Sequence, residues 1–160
     1  IASQFGEKLI YDCPLHGDVA GSFQDVPQGE WYLVYICIAH ANNIISGYPD
    51  GTFRPAKNII FPEAAKILVK TFGIASAQSQ SEIAVSADHP TQFWYKPFTD
   101  DLARLHAIPL TIPHLEHPIT RGEMAEMIYR LKEGITDLPT QTYDSLGGNP
   151  PKDNSVMEGL

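Results

Sequence analysis

The side chains of this 160-residue chain that could do chemistry are Cys13 and Cys37, six histidines and the Asp50-Gly51 pair. Cys13 and Cys37 form no Cys-x-x-Cys pair, so a zinc knuckle or a thioredoxin-type redox centre has no basis. They can make one disulfide in an oxidising compartment or remain two thiols, and both readings stand. As a nucleophile Cys37 would sit in an apolar helix face, where a thiolate is disfavoured. His106, His114 and His117 are the closest histidine group, yet they show no His-Glu-x-x-His or other zinc-ligand spacing. The Asp50-Gly51 turn lacks the alternating oxygen ligands and closing bidentate glutamate of a calcium loop. No Gly-x-Ser-x-Gly, Gly-x-Gly-x-x-Gly or phosphate loop occurs. No catalytic residue, metal site or cofactor is expected, and the chain is not read as an enzyme.

Composition narrows the partners. Eleven Lys and Arg against nineteen Asp and Glu give a net charge of -8, which opposes binding to a phosphate backbone. Nucleic acid is excluded on that ground. The 43% apolar content suffices for a buried core. The longest apolar run, Trp31 to Ala39, is nine residues, half of the roughly 18 a membrane-spanning helix needs. No membrane span is expected. The N-terminus shows no basic start, apolar stretch and cleavage site, which reads as a cytosolic or already processed chain.

The elements that must position any site emerge from an internal repeat. Phe23-Gln-Asp25-Val-Pro, followed by Trp31-Tyr32, returns as Val85-Ser-Ala-Asp88, followed by Trp94-Tyr95, with the same six-residue step from Asp to Trp. Ile45 and Ile108 each fall fourteen residues after their Trp. Asn58-Ile-Ile-Phe-Pro-Glu63-Ala-Ala-Lys-Ile-Leu-Val then matches Pro118-Ile-Thr-Arg-Gly-Glu123-Met-Ala-Glu-Met-Ile-Tyr. Each copy reads as helix, loop, helix. In copy one Trp31, Val34, Tyr35, Ile38, Ala41 and Ile45 line one helical face, and in copy two Trp94, Phe98, Leu102, Leu105 and Ile108 do so. The second helices bury Ala64, Ile67, Leu68 and Phe72, and Met124, Met127, Ile128 and Leu131. Thr120-Arg-Gly-Glu123 is a capping box, Pro62 marks the matching start in copy one, and Gly73-Ile74 and Gly134-Ile135 mark the ends.

Between the helices of copy one, Gly47-Tyr-Pro-Asp-Gly51-Thr-Phe-Arg54-Pro55 carries strong turn chemistry, and Phe53 is expected to tuck between the helices. The domain organisation is an N-terminal extension over 1–22, repeat one over 23–74, a polar linker over 75–84, repeat two over 85–135 and a polar tail over 136–160 that is loosely held or follows a neighbour's surface. The fold class is all-α, with tandem helix-loop-helix repeats packed side by side around a small helical bundle and a crevice between them.

The residues quoted for copy one closely resemble a repeat of the S-layer homology family, and copy two resembles a diverged repeat. The resemblance covers residues 23 to 135. It implies a non-catalytic module of extracellular bacterial surface proteins that anchors them to secondary wall polymers or peptidoglycan, with ligands held in grooves between repeats. It further implies ligand-binding roles for Asp25, Trp31, Gly51, Arg54, Asp88, Trp94 and Arg121. Phe61 stands where the family carries the arginine that Arg121 matches, and copy two lacks the Asp-Gly and Arg of the loop.

A wall-glycan site needs a cation for a carboxylate and aromatic faces for sugar rings. Arg121 with a nearby tryptophan could supply both, since a cation in the first turn of a helix gains nothing from the dipole. Trp31 and Trp94 are read first as core anchors, and Asp25 and Asp88 as braces for the turn before a helix. The alternative is a structural subunit of a surface layer or filament, whose repeats self-associate or pack on other surface-protein chains.

Overall fold

The computed structural model describes residues 23–27, 29–75 and 94–147. Among them are four α-helices, α1 (Leu33–Ala41), α2 (Phe61–Thr71), α3 (Lys96–Arg104) and α4 (Arg121–Glu133). No strand accompanies them; one antiparallel bridge joins Ile60 to Pro118. The fold is all-α. The N-terminal extension, residues 76–84 of the linker, Asp88 with the start of repeat two, and the tail beyond 147 lie outside the described residues.

Helix starts follow their local chemistry. The Thr120 hydroxyl accepts from the Glu123 amide at 3.2 Å, and the Glu123 carboxylate accepts from the Thr120 amide at 2.9 Å and from its hydroxyl at 2.8 Å. Copy one keeps half of this device: the buried Glu63 accepts from the Ile60 amide at 2.7 Å, with Pro62 in the first turn. The glutamate reaches back even without a capping hydroxyl, because it answers a donor that the helix leaves unpaired.

All four helices end alike. Gly73 (φ +59°) and Gly134 (φ +64°) are left-handed, and the next amides, of Ile74 and Ile135, donate to Val69 and Arg130 five residues back. Asn43 (φ +55°) and His106 (φ +55°) do the same without glycine, with Ile44 and Ala107 donating to Ala39 and Leu102. Asn and His are among the residues that tolerate this region best. Both lie twelve residues after their tryptophan, a shared offset that sequence reasoning had available and did not use.

The described residues form two compact units, one running to Lys57 and one from Asn58. The first contains α1 and buries Phe23, Val26, Ile36, Cys37, Ile38, Ala39, Ile44, Ile45 and Tyr48. The buried residues of α1, Ile36 to Ala39, are consecutive and run round most of the helix, so the single stripe expected through Trp31 and Tyr35 is corrected. Trp31 is 77% exposed and Tyr35 46%. Cys37 is buried and disulfide-bonded; Cys13, the only other cysteine, lies outside the described residues.

The second unit holds α2, α3 and α4, and α2 packs against α3. Its core joins Phe61, Ala65, Leu68 and Val69 of α2 to Tyr95, Leu102, Ile108, Ile112, Leu115 and Met127, with Trp94, Phe98, Leu105 and Leu131 at the margin. The stripe expected on α3 is present. Ile128 departs from expectation, being 40% exposed. The compact units therefore cut through repeat one, since α2 shares a core with the helices of copy two.

Residues 136–147, the described part of the tail, are strapped onto neighbouring elements. Arg130 is buried, and its guanidinium donates to the carbonyls of His106 and Pro139 at 3.0 and 2.9 Å and to Glu126 at 2.5 Å. Gln141 donates from its backbone to Ile108 and from its side chain to Leu110 and Ile112. Leu146 is in the core and Tyr143 packs on Tyr95. Few apolar residues mark this stretch in the sequence, so a buried arginine fork on another element holds it. Arg130→Leu should leave two carbonyls unpaired, at a cost of about 1–3 kcal/mol each if they stay buried. Hydrogen exchange should then speed up at the Gln141 and Leu146 amides more than within α2, and unchanged exchange would contradict the clamp.

Candidate functional site

In the first unit the candidate residues form one braced loop. The Asp25 carboxylate accepts from the Phe53 amide at 2.7 Å and the Arg54 amide at 2.6 Å, while the Gln24 amide donates to the Gly51 carbonyl. Asp25 thus pins the loop and does not brace a helix start. Gly47 (φ +76°) lies against Phe23, whose ring would be 2.0 Å from an added Cβ, so only glycine fits. Gly51 (φ +76°) closes the turn, its amide donating to Tyr48. Phe53 packs on the Phe23 ring at 5.5 Å and is half-buried.

Arg54 is held on three sides. It donates to Asp50 at 2.7 Å and to the Thr52 hydroxyl at 3.1 Å, and lies over the Tyr48 ring at 4.1 Å, where Lys57 also approaches at 5.2 Å. Its φ of +59° is strained for a side chain of that size. The Thr52 hydroxyl first, and Arg54 second, hold the Asp50 carboxyl down to about 2. Tyr48, unassigned by sequence reasoning, is the platform for both cations. Trp31 makes edge contacts with Tyr32 and Tyr35 at 5.6 and 6.3 Å and is otherwise open.

In the second unit the paired segments before α2 and α4 build a groove. Phe61 donates to the His117 carbonyl at 2.9 Å and Ile119 to the Ile59 carbonyl at 3.0 Å. That pairing sets Ile59, from copy one, beside Ile119, Thr120, Arg121, Met124, Ala125 and Ile128, from copy two, around a cavity of about 420 Å³. The cavity is apolar apart from Thr120 and Arg121. Arg121 is exposed in the first turn of α4 and makes no ion pair or hydrogen bond among the described residues.

Trp94 does not line this groove; it is half-buried at the core margin beside Tyr95 and Phe98. The structure therefore brings Asp25, Gly51 and Arg54 together and sets Arg121 in a groove without the tryptophan expected there. Beside the groove, burial works to raise the Glu123 carboxyl, but the Thr120 amide and hydroxyl and the His117 ring outweigh it, and the net direction is down. His106 contacts the Leu138 carbonyl and His117 contacts Glu123, so these histidines serve the scaffold. No cluster of three His, Cys, Asp or Glu suited to a metal occurs among the described residues.

Residues 22–65 match the model of the S-layer homology domain family. Over that stretch the chain is similar to an S-layer homology domain. Similar proteins include the middle cell wall protein of Brevibacillus brevis, 24% identical over 109 residues (68% of this chain, 9% of the relative). The outer membrane protein SlpA of Thermus thermophilus is 32% identical over 106 residues (64% and 11%). The exoglucanase XynX of Acetivibrio thermocellus is 29% identical over 125 residues (74% and 11%). The chain spans about a tenth of the length of these curated relatives. No solved structure matches. The match and the likeness to cell-surface proteins support a wall-anchoring or surface-layer role at the bacterial cell surface. One of these relatives is an enzyme by name, and the others are named as a cell wall protein and an outer membrane protein. No helix among the described residues is long and apolar enough to cross a membrane.

The depressed Asp50 carboxyl fixes the sign of one pH effect. Its loop contacts are fully present above the unfolded value near about 4 and are lost as pH falls through the folded value of about 2. Amide spectra of Thr52 and Arg54 should stay constant from pH 7 to 4.5 and shift together between 4 and 2. A transition centred above 4 would contradict the assignment.

Proposed function

We propose that the chain anchors the protein it belongs to by binding a wall glycan, a secondary wall polymer or peptidoglycan, in the groove where Ile59 meets the start of α4. The observation that carries this reading is Arg121. It is a cation without a partner among the described residues, at the edge of a cavity of about 420 Å³, placed where the helix dipole mildly disfavours positive charge. An anionic group on a sugar would meet a guanidinium suited to two parallel hydrogen bonds, while Ile59, Ile119, Met124 and Ile128 accept the C–H face of the ring. Arg54 and Asp25 act on the glycan at most through loop shape, because both are engaged within the loop. The chain is non-catalytic in this reading and needs no cofactor.

The rival reading, a structural subunit of a surface layer, is favoured by the exposure of Trp31 and of Tyr129 at 57%, apolar faces that a neighbouring chain could cover.

Retention on isolated wall sacculi separates the two. Wild-type chain should bind as a monomer, and Arg121→Ala should bind about tenfold more weakly, the loss expected for one charge-assisted hydrogen bond. Equal retention of both would remove the Arg121 assignment. A polymer in analytical ultracentrifugation that ignores sacculi would favour the subunit.

A further inference from the structure

Helices α2 and α4 are the second helices of the two copies, matched residue for residue from Glu63 and Glu123. They differ in how much of their surface is covered. Ala65, Leu68 and Val69 are buried in the core that α2 shares with α3, whereas their counterparts Ala125, Ile128 and Tyr129 are exposed, Tyr129 by 57%. The first helices show the complementary difference. Tyr32 and Tyr95 each precede their helix with nearly the same backbone, φ -87° and ψ -9° against φ -85° and ψ -18°, so the copies can be compared side chain by side chain. Trp94 and Phe98, at the margin of the shared core, are half-buried, and their counterparts Trp31 and Tyr35 are exposed. The faces that α2 and α3 turn to a common core are therefore exposed on α4 and at the start of α1.

We propose that the exposed face of α4 in one chain takes the Trp31–Tyr35 start of α1 from a second copy, repeating between chains the contact that α2 makes with α3 within one. Aromatic side chains buried against Ile128 and Tyr129 supply the attraction. The two faces are different, so the contact is head-to-tail and each chain keeps a free face for the next. This rests on the subunit reading above and goes beyond it by naming the two faces and their order. One helix face against one helix start is a small interface, of the class that binds weakly. Chains that are monomers when dilute join when they are crowded on a surface.

The test is sedimentation velocity of the full chain from about 5 to about 500 micromolar, a range that spans weak contacts. The weight-average mass of the wild type should rise with concentration. Tyr129→Glu, on α4, and Tyr35→Glu, on α1, should each weaken association about tenfold or more. Their melting temperatures should match the wild type, because both side chains are exposed. An equimolar mixture of the two variants should form a dimer and go no further, since one intact α4 face meets one intact α1 start. A mixture that stays monomeric while the wild type associates would overturn the head-to-tail pairing. Association that survives both substitutions would keep the subunit reading and defeat these two faces. A wild type that is monomeric at every concentration, as when residues 1–22 or 148–160 of the same chain cover either face, would overturn the proposal. Shifts of the Ile128 methyls on adding wall polysaccharide, with none on raising the protein concentration, would assign the face to the glycan instead.

Discussion

The pairing of two extended segments, Ile59–Phe61 against His117–Ile119, is the constraint on which the second unit depends. Two backbone hydrogen bonds, Phe61 to His117 and Ile119 to Ile59, lock the approach to α2 against the approach to α4. Each segment ends at a glutamate that reaches back to the amide before its helix, Glu63 to Ile60 and Glu123 to Thr120. Helix starts are points where four amides lack intrahelical partners. Satisfying some of them with side chains and one with the neighbouring segment fixes the direction in which each helix leaves the pair. The groove is a consequence. Ile59 and Ile119 can line one cavity only because the bridge holds their strands in register, and Arg121 stands at its edge because the capping box starts α4 one residue earlier.

The first unit obeys a different constraint. Its loop has little apolar content, and a single carboxylate organises it: Asp25 accepts from two consecutive amides some 28 residues along the chain. The Phe23 ring then closes on Gly47 at a distance that no side chain could survive. Arg54, stacked on Tyr48 and tied to Asp50, finishes the loop. Asp25, Gly51 and Arg54, which a family resemblance marks as ligands, hold this loop together, whereas Arg121, in the second unit, makes no ion pair or hydrogen bond among the described residues.

Much of this was legible in the sequence, and the failures have physical causes. The capping box at Thr120, the proline start at Pro62 and the glycine stops at Gly73 and Gly134 are local signals, and each lies where the residue types put it. The stripes of α2 and α3 were legible because those helices bury one face against a shared core. The stripe through Trp31 failed because α1 is buried round most of its circumference at Ile36 to Ala39, which leaves no single face for a period to mark. The hold on the tail was not legible because its anchor, Arg130, is a charged residue whose burial no apolar pattern signals. Tyr48 was missed because its part depends on the turn that lays Arg54 over its ring.

The central claim is that the wall glycan lies in the groove at Arg121. The most direct measurement is methyl chemical-shift mapping of the full chain with added wall polysaccharide, using Ile59, Ile119, Met124 and Ile128 as reporters. The account predicts saturable shifts at these four methyl-bearing residues in the wild type and their loss in Arg121→Ala, with the spectra of the core methyls of Leu102 and Ile108 unchanged. Shifts confined to the neighbourhood of Trp31, with a silent groove, would contradict it.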